Sequence, residues 1–242
     1  MLEAVAEAVG TEVFYSAVWE CVATNATIRL PAITFVLAHC SKRGRTGQGL
    51  DAHLLGSDHD VMCRALCLAL RDSSALVQRA ALDLLLIGFP VHQPQFARQD
   101  MVGLVTSVLA TLLRRDMSLN RRLFSWLLGT EINPALLPPS HPAVASESSS
   151  YFLAFSLDLL VAAVLAVLEQ SLGEGVDVRP YRYFENLFKM RFKPKLLRVV
   201  TVLLDKQEIG PLIIDKISLD VFRTLHHMFQ VLFGLFCSNL LC

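Results

Sequence analysis

Charge is scarce in this chain. Of its 242 residues only 18% are charged, and 22 Lys+Arg balance 22 Asp+Glu, so neither sign is in excess. Average soluble domains carry about 25% charged residues. Scarce charge beside 53% apolar content excludes intrinsic disorder, which needs low hydrophobicity and high net charge. The missing basic excess argues against a dedicated nucleic-acid binder. A cysteine framework is missing too. Cys21, Cys40, Cys63, Cys67, Cys237 and Cys242 follow no regular spacing, so free, mostly buried thiols are expected. The first twenty residues hold Glu3, Glu7, Glu12 and Glu20 and nothing basic. A secretory leader opens on basic residues, so none is expected here.

Long unbroken apolar runs are also lacking. Phe152 to Leu168 is interrupted by Ser156 and Asp158, and Thr224 to Cys242 by His226, His227, Gln230, Ser238 and Asn239. A membrane span needs about 20 mostly apolar residues, and an acid near its middle is costly. Buried helices of a larger stack explain both stretches more simply. Strict apolar–polar alternation, the mark of a half-buried strand, is absent over any useful length.

What remains is helical spacing, and the expected class is all-α. Leu76 to Gly88 puts Gln78, Arg79 and Asp83 on one side and Val77, Ala80, Ala81, Leu84 and Leu85 on the others. Arg79 and Asp83 stand four apart and are expected to pair along an exposed strip. A leucine-then-charge phrase recurs at Leu70-Arg71-Asp72, Leu113-Arg114-Arg115-Asp116 and Leu203-Leu204-Asp205-Lys206. Asp72 and Asp116 are 44 residues apart, and Asp116 and Asp205 are 89 apart, about twice that. HEAT and armadillo units run about 40–47 residues, which favours an α-solenoid of paired antiparallel helices over an irregular bundle. At each phrase an Asp or Ser is placed to cap the incoming helix.

Two loops punctuate the pattern. Pro134, Pro138, Pro139 and Pro142, followed by Ser146, Ser148, Ser149 and Ser150, mark an exposed break over 130–150. Gly44, Gly47, Gly49 and Gly56 place another between Ser41 and Ser57. The organisation expected is helical repeats over 1–129, the Pro/Ser-rich loop over 130–150, and further helices with a divergent apolar tail over 151–242.

Catalytic signatures are thin. His59, Cys63 and Cys67 share one helix face, but a tetrahedral zinc site needs four ligands and no second pair is spaced to supply them. Gly44-Arg45-Thr46-Gly47-Gln48-Gly49 lacks the Lys-Ser/Thr of a phosphate loop and has no strand before it. Gly-x-Ser-x-Gly is absent. Neighbouring His226 and His227 diverge on a helix. No enzyme, metal or cofactor is expected, and a small hydrolase is the weakest reading.

Two basic clusters carry the interaction candidates. From 179 to 198, Arg179, Arg182, Lys189, Arg191, Lys193, Lys195 and Arg198 face Glu185 alone. Tyr181, Phe184, Leu187, Phe188 and Phe192 gather on one helical side. A basic amphipathic helix with aromatics can lie on an anionic membrane. Arg182, Lys189, Arg191, Lys193 and Lys195 are the lipid-contact candidates. The bland alternative is a repeat helix that buries its aromatics and solvates its cations. Arg114, Arg115, Arg121 and Arg122 bracket a helix start, where the dipole disfavours cations. They are candidates for a partner surface or for pairing with acids of an adjacent repeat, the latter slightly favoured.

Several phrases resemble the N-terminal region of the Dopey family of membrane-trafficking proteins. They are Trp19-Glu20-Cys21, the run Arg29 to Leu37, Ala65-Leu66-Cys67, Asp72 to Arg79, Leu82-Asp83, Gly88-Phe89-Pro90, Leu112 to Gly129, and Leu203 to Pro211. They span roughly residues 13 to 225. The resemblance implies a large cytosolic α-solenoid scaffold without catalytic residues, peripheral on Golgi, trans-Golgi and endosomal membranes. It implies association with an Arf-exchange-factor-like scaffold, a phospholipid flippase, kinesin light chain and phosphoinositide-rich membrane. The tail from His226 to Cys242 departs from the family's continuation, as a truncated or alternative product would. An interrupted stack would lack polar capping repeats, so poor solubility is expected. The competing readings are a purely structural interaction module with no membrane binding of its own, and an integral membrane protein.

Overall fold

The computed structural model describes residues 2–44, 54, 56, 58–92, 94–130, 150–173 and 194–240. The helices are α1 (Leu2–Val9), α2 (Thr11–Thr24), α3 (Arg29–Gly44), α4 (His59–Leu70), α5 (Ala75–Gly88), α6 (Arg98–Ala110), α7 (Met117–Leu128), α8 (Leu157–Gly173), α9 (Pro194–Leu204) and α10 (Gly210–Leu240). No strand occurs among the described residues, so the chain is all-α. Helix α3 continues through Ser41 to Gly44, which corrects the expected start of the first loop at Ser41. The glycine-rich stretch 45–53 and the Pro/Ser-rich stretch 131–149 lie outside the described residues.

The chain divides into two compact units, Met1–Leu159 and Leu160–Cys242, with the division inside α8. In the first unit, odd and even helices sort separately. Helix α2 packs on α4 and α4 on α6, while α3 packs on α5 and α5 on α7. Successive helices α2 and α3 also touch, as do α4 and α5. The core is the set of apolar faces turned into this arrangement, including Trp19, Ile33, Met62, Leu66, Leu70, Leu82, Leu85, Leu104 and Trp126, each 2% exposed or less. Burying a side chain of this kind stabilises by about 1.5–3 kcal/mol relative to leaving it in water.

The tryptophans also hold the links between helices. Trp19 Nε1 of α2 donates to the Leu54 carbonyl at 2.9 Å, and Trp126 Nε1 of α7 donates to the Phe89 carbonyl at 2.8 Å. Each indole thus buries its ring and satisfies a carbonyl in a connecting segment. Helix α7 ends at Gly129, whose φ of 65° places it in the left-handed region. The amides of Gly129 and Thr130 both return to the Ser125 carbonyl. A π-helical turn at Phe152–Ser156 packs on α7, and the buried Ser156 hydroxyl donates to the Leu127 carbonyl at 2.6 Å. That carbonyl is one of the last four of α7, which have no partner within the helix.

The second unit holds the rest of α8, then α9 and α10, which pack together. Val199, Val200 and Leu203 of α9 and Ile213 and Ile217 of α10 are buried, as is Ile209 in the turn between them. In that turn the Gly210 amide donates to the Lys206 carbonyl at 2.7 Å. No single helix among the described residues is long and apolar enough to cross a membrane. The pair Thr11–Thr24 and Ala26–Cys40 has the length together, but it bends by 117° at the break, and Tyr15, Trp19, Val22, Ile33 and Val36 in it are core residues.

Candidate interaction surface

Two of the three recurring acids, Asp72 and Asp116, sit at helix starts, each in its own way, while Asp205 directly follows the end of α9. Asp116 is the N-cap of α7: its Oδ1 accepts from the Ser118 amide at 2.8 Å and the Leu119 amide at 3.2 Å. Asp58 does the same for α4 with the Asp60 and Val61 amides. Before α5 the N-cap is Ser74, whose side chain makes no capping bond; Asp72, two residues earlier, takes the Ser74 amide at 2.7 Å instead.

The second oxygen of Asp72 and of Asp116 reaches a different helix from the one its first oxygen serves. Asp72 Oδ2 takes Arg29 Nη1 of α3 at 2.9 Å, and Asp116 Oδ2 takes Arg79 Nη2 of α5 at 2.6 Å. Asp83 of α5 takes Arg122 Nε of α7 at 2.6 Å. The expected pair Arg79–Asp83 within α5 is therefore replaced by two pairs across helices. Both side chains point toward α7, where a guanidinium and a carboxylate are already held by the helix start, so each finds a better oriented partner there than on the exposed strip. Gln78 also leaves that strip: it is 4% exposed, and its Nε2 donates to the Leu70 carbonyl at 2.8 Å.

These ties differ in energy. Arg29 and Asp72 are only 14% and 8% exposed, and removing one partner of a buried pair costs about 3–5 kcal/mol. Arg64 and Glu20, 3.6 Å apart and both more than half exposed, contribute little. The Arg79 guanidinium holds the Asp116 carboxyl below the ordinary carboxylate range, and the Leu119 and Ser118 amides add to this against some desolvation.

The four arginines around α7 separate into two kinds. Arg122 is committed to Asp83 and to the Ser118 hydroxyl and carbonyl. Arg114 donates to the Asp72 and Ser73 carbonyls ahead of α5. The side chains of Arg115 and Arg121 are exposed and make no hydrogen bond or ion pair among the described residues. Arg115 has φ 59° and ψ 30°, a left-handed conformation that links the 3₁₀ turn Thr111–Arg114 to Asp116. Met117, 82% exposed, shares a face with Arg121 four residues on. The exposed side chains at this helix start are thus two unpaired cations, Arg115 and Arg121, and the apolar Met117. Arg182, Lys189, Arg191 and Lys193 lie outside the described residues. Lys195 falls in the first turn of α9, and its side chain is not described.

The interhelical partners Arg29, Asp72, Asp83 and Arg122 were not legible as pairs in the sequence. The usable signal was the 44-residue step from Asp72 to Asp116, read together with an arginine in the preceding odd-numbered helix. Three His, Cys, Asp or Glu side chains placed to hold a metal do not occur among the described residues.

Comparison with known proteins points one way. A family model described as Dopey, N-terminal, matches residues 1–132. The Drosophila melanogaster protein named Protein DOP1 homolog is 39% identical over 234 residues, covering 93% of this chain and 8% of its own length. Mouse Protein DOP1B is 38% identical over 231 residues, covering 90% of this chain and 10% of its own. Caenorhabditis elegans Protein pad-1 is 28% identical over 233 residues. No solved structure matches. The chain spans about a tenth or less of the length of these relatives. With more than half of the chain under the family model and relatives this similar over nine-tenths of it, the chain belongs to the Dopey family and corresponds to its N-terminal region.

Proposed function

We propose that this chain is a non-catalytic scaffold segment of HEAT/armadillo-like solenoid type, acting in transport between Golgi and endosomes. The observation that carries the reading is the sorting of α2, α4 and α6 into one row and α3, α5 and α7 into another, in a member of the Dopey family. Each helix pair buries its faces against the next pair, the way repeat arrays build a continuous core and leave long surfaces for partners. On this reading the segment is cytoplasmic and peripheral. It meets anionic, phosphoinositide-containing membrane through Arg182, Lys189, Arg191, Lys193 and Lys195. Its protein partners are an Arf-exchange-factor-like scaffold, a phospholipid flippase and kinesin light chain.

The test is co-pelleting of the chain with liposomes containing phosphatidylinositol phosphates. Binding is expected, and it should weaken as salt rises from 50 to 300 mM, because surface charges are screened. Lys189→Glu with Lys193→Glu should abolish most of it in a variant whose circular dichroism is unchanged. Equal pelleting of that variant would remove the lipid assignment. A second reading, a structural module with no membrane binding of its own, is favoured by one observation: Arg114 and Arg122 are spent on contacts inside the chain. No pelleting at low salt would select it.

A further inference from the structure

The starts of α5 and α7 lie side by side. Arg79 of α5 holds Asp116, and Arg114 donates to the Asp72 and Ser73 carbonyls of the turn before α5. Arginine dominates this stretch: from 61 to 130 the chain has eight arginines, four aspartates and no lysine or glutamate. The two acids at the helix starts are already spent. Asp72 holds the Ser74 amide and Arg29, and Asp116 holds the Ser118 and Leu119 amides and Arg79. Arg71, Arg114, Arg115 and Arg121 are exposed, and none of them pairs with a carboxylate among the described residues. The bonds of Arg114 go to neutral carbonyls, which orient its guanidinium and leave its charge uncompensated. Two exposed apolar side chains stand among these cations: Leu76, 57% exposed, in the first turn of α5, and Met117 in the first turn of α7.

We propose that the paired starts of α5 and α7 form a docking surface for an acidic protein segment with apolar anchors. Arg114, Arg115 and Arg121 take its carboxylates, and Leu76 and Met117 take its apolar side chains. Charge complementarity carries the choice of partner. A guanidinium fork meets a carboxylate with two parallel hydrogen bonds, and every cation here is an arginine. Arginine and methionine are both enriched at protein interfaces, and the flexible thioether adapts to the shape of a partner. A bilayer fits less well. An interfacial helix lays a long apolar face into the membrane, whereas the apolar faces of α5 and α7 are in the core and only Leu76 and Met117 stand out. The α7 amides are not the attraction, because Asp116 already caps them.

Packed helices stand about 8–10 Å apart, so an extended segment passes from one helix start to the next in about three residues. A run with two acids and one apolar residue in every three therefore offers carboxylates and an anchor at both starts. Backbone geometry separates this role from folding. Arg115 has φ 59°, where glycine is the less strained residue, and its side chain makes no bond that holds the chain together. The surface lies apart in sequence from the lipid candidates between 182 and 195, so it does not rest on the lipid assignment.

The experiment is fluorescence anisotropy of a peptide of repeated Glu-Glu-Leu, carrying a neutral fluorophore, titrated with the 242-residue chain. Saturable binding is expected at 50 mM NaCl, weakening about tenfold by 300 mM as the charges are screened. A probe with Gln in place of Glu should not bind. Arg115→Gly with Arg121→Ala should weaken binding about tenfold, while the melting temperature should not fall, since glycine suits the left-handed position and alanine the helix. Met117→Ser should weaken it several-fold. Arg64→Ala with Arg98→Ala, exposed arginines of α4 and α6, should leave it unchanged. Absence of saturable binding, or an equal loss in the two double variants, would overturn the assignment. So would vesicles of phosphatidylserine that bind the chain through Arg115 and Arg121 while the peptide does not, because those arginines would then serve a membrane.

Discussion

Asp116 does two jobs with two oxygens: Oδ1 caps α7 and Oδ2 holds Arg79. A carboxyl whose folded pKa lies below its unfolded value stabilises the fold above the unfolded pKa, and that contribution disappears as pH falls through the folded value. For Asp116 the loss therefore belongs to the acid range, below the ordinary Asp value of about 3.9. Asp116→Asn keeps a capping oxygen and removes the ion pair. It should lower the melting temperature at pH 7 and flatten the decline in stability between about pH 4 and pH 2. Thermal melts at a series of pH values check both. An unchanged acid limb would mean that the tie to Arg79 carries no free energy. At this scale the sequence was only half readable. The capping role of Asp116 followed from its place before an apolar-periodic run. The partner of Arg79 did not, because Asp83 and Asp116 are both within reach of a long flexible side chain, and only the packing of α5 on α7 decides between them.

Helices were the most legible level. Leu76 to Gly88 was expected to be helical, and α5 runs Ala75–Gly88; the phrase at Asp205 was expected to be a turn, and α9 ends at Leu204 with α10 beginning at Gly210. What periodicity could not convey is how tightly such turns close. A Cβ on Gly210 would overlap the Leu204 carbonyl, which is backbone and cannot swing away. The next residue, Pro211, stands in the first turn of α10, where its missing amide hydrogen is not needed. Gly210→Ala should destabilise the α9–α10 pair by about 1–3 kcal/mol, as overpacking does. Hydrogen exchange should report it locally, with faster exchange in peptides spanning 198–220 and little change in α4 or α5. Uniform exchange across the chain would contradict a local origin.

On the scale of the whole chain, low charge and high apolar content have a visible counterpart. Ile214, Leu219 and Phe222 of α10 are 45%, 58% and 69% exposed, and Leu2, Val5, Val9 and Val13 are between 42% and 63% exposed. Monomeric soluble proteins seldom show many large apolar side chains grouped in this way. The isolated chain should self-associate as its concentration rises, above the 26.8 kDa of a monomer, in sedimentation velocity. Leu219→Glu with Phe222→Glu should reduce the association without loss of helicity. A wild-type chain that stays monomeric at high concentration would refute the account. The apolar excess was plain in the composition. Its location was not, because residues such as Leu219 and Ile217 read alike in sequence, and only the packing of α10 on α9 separates the exposed from the buried.

The ion pairs across α3, α5 and α7 have one more property: their reach along the chain is nearly constant, 43 residues for Arg29–Asp72, 37 for Arg79–Asp116 and 39 for Asp83–Arg122. The entropy of closing a loop grows only with the logarithm of its length, so each closure costs almost the same. None requires a distant part of the chain to arrive first. The search that closes each of these pairs is therefore short and of similar length from one pair to the next.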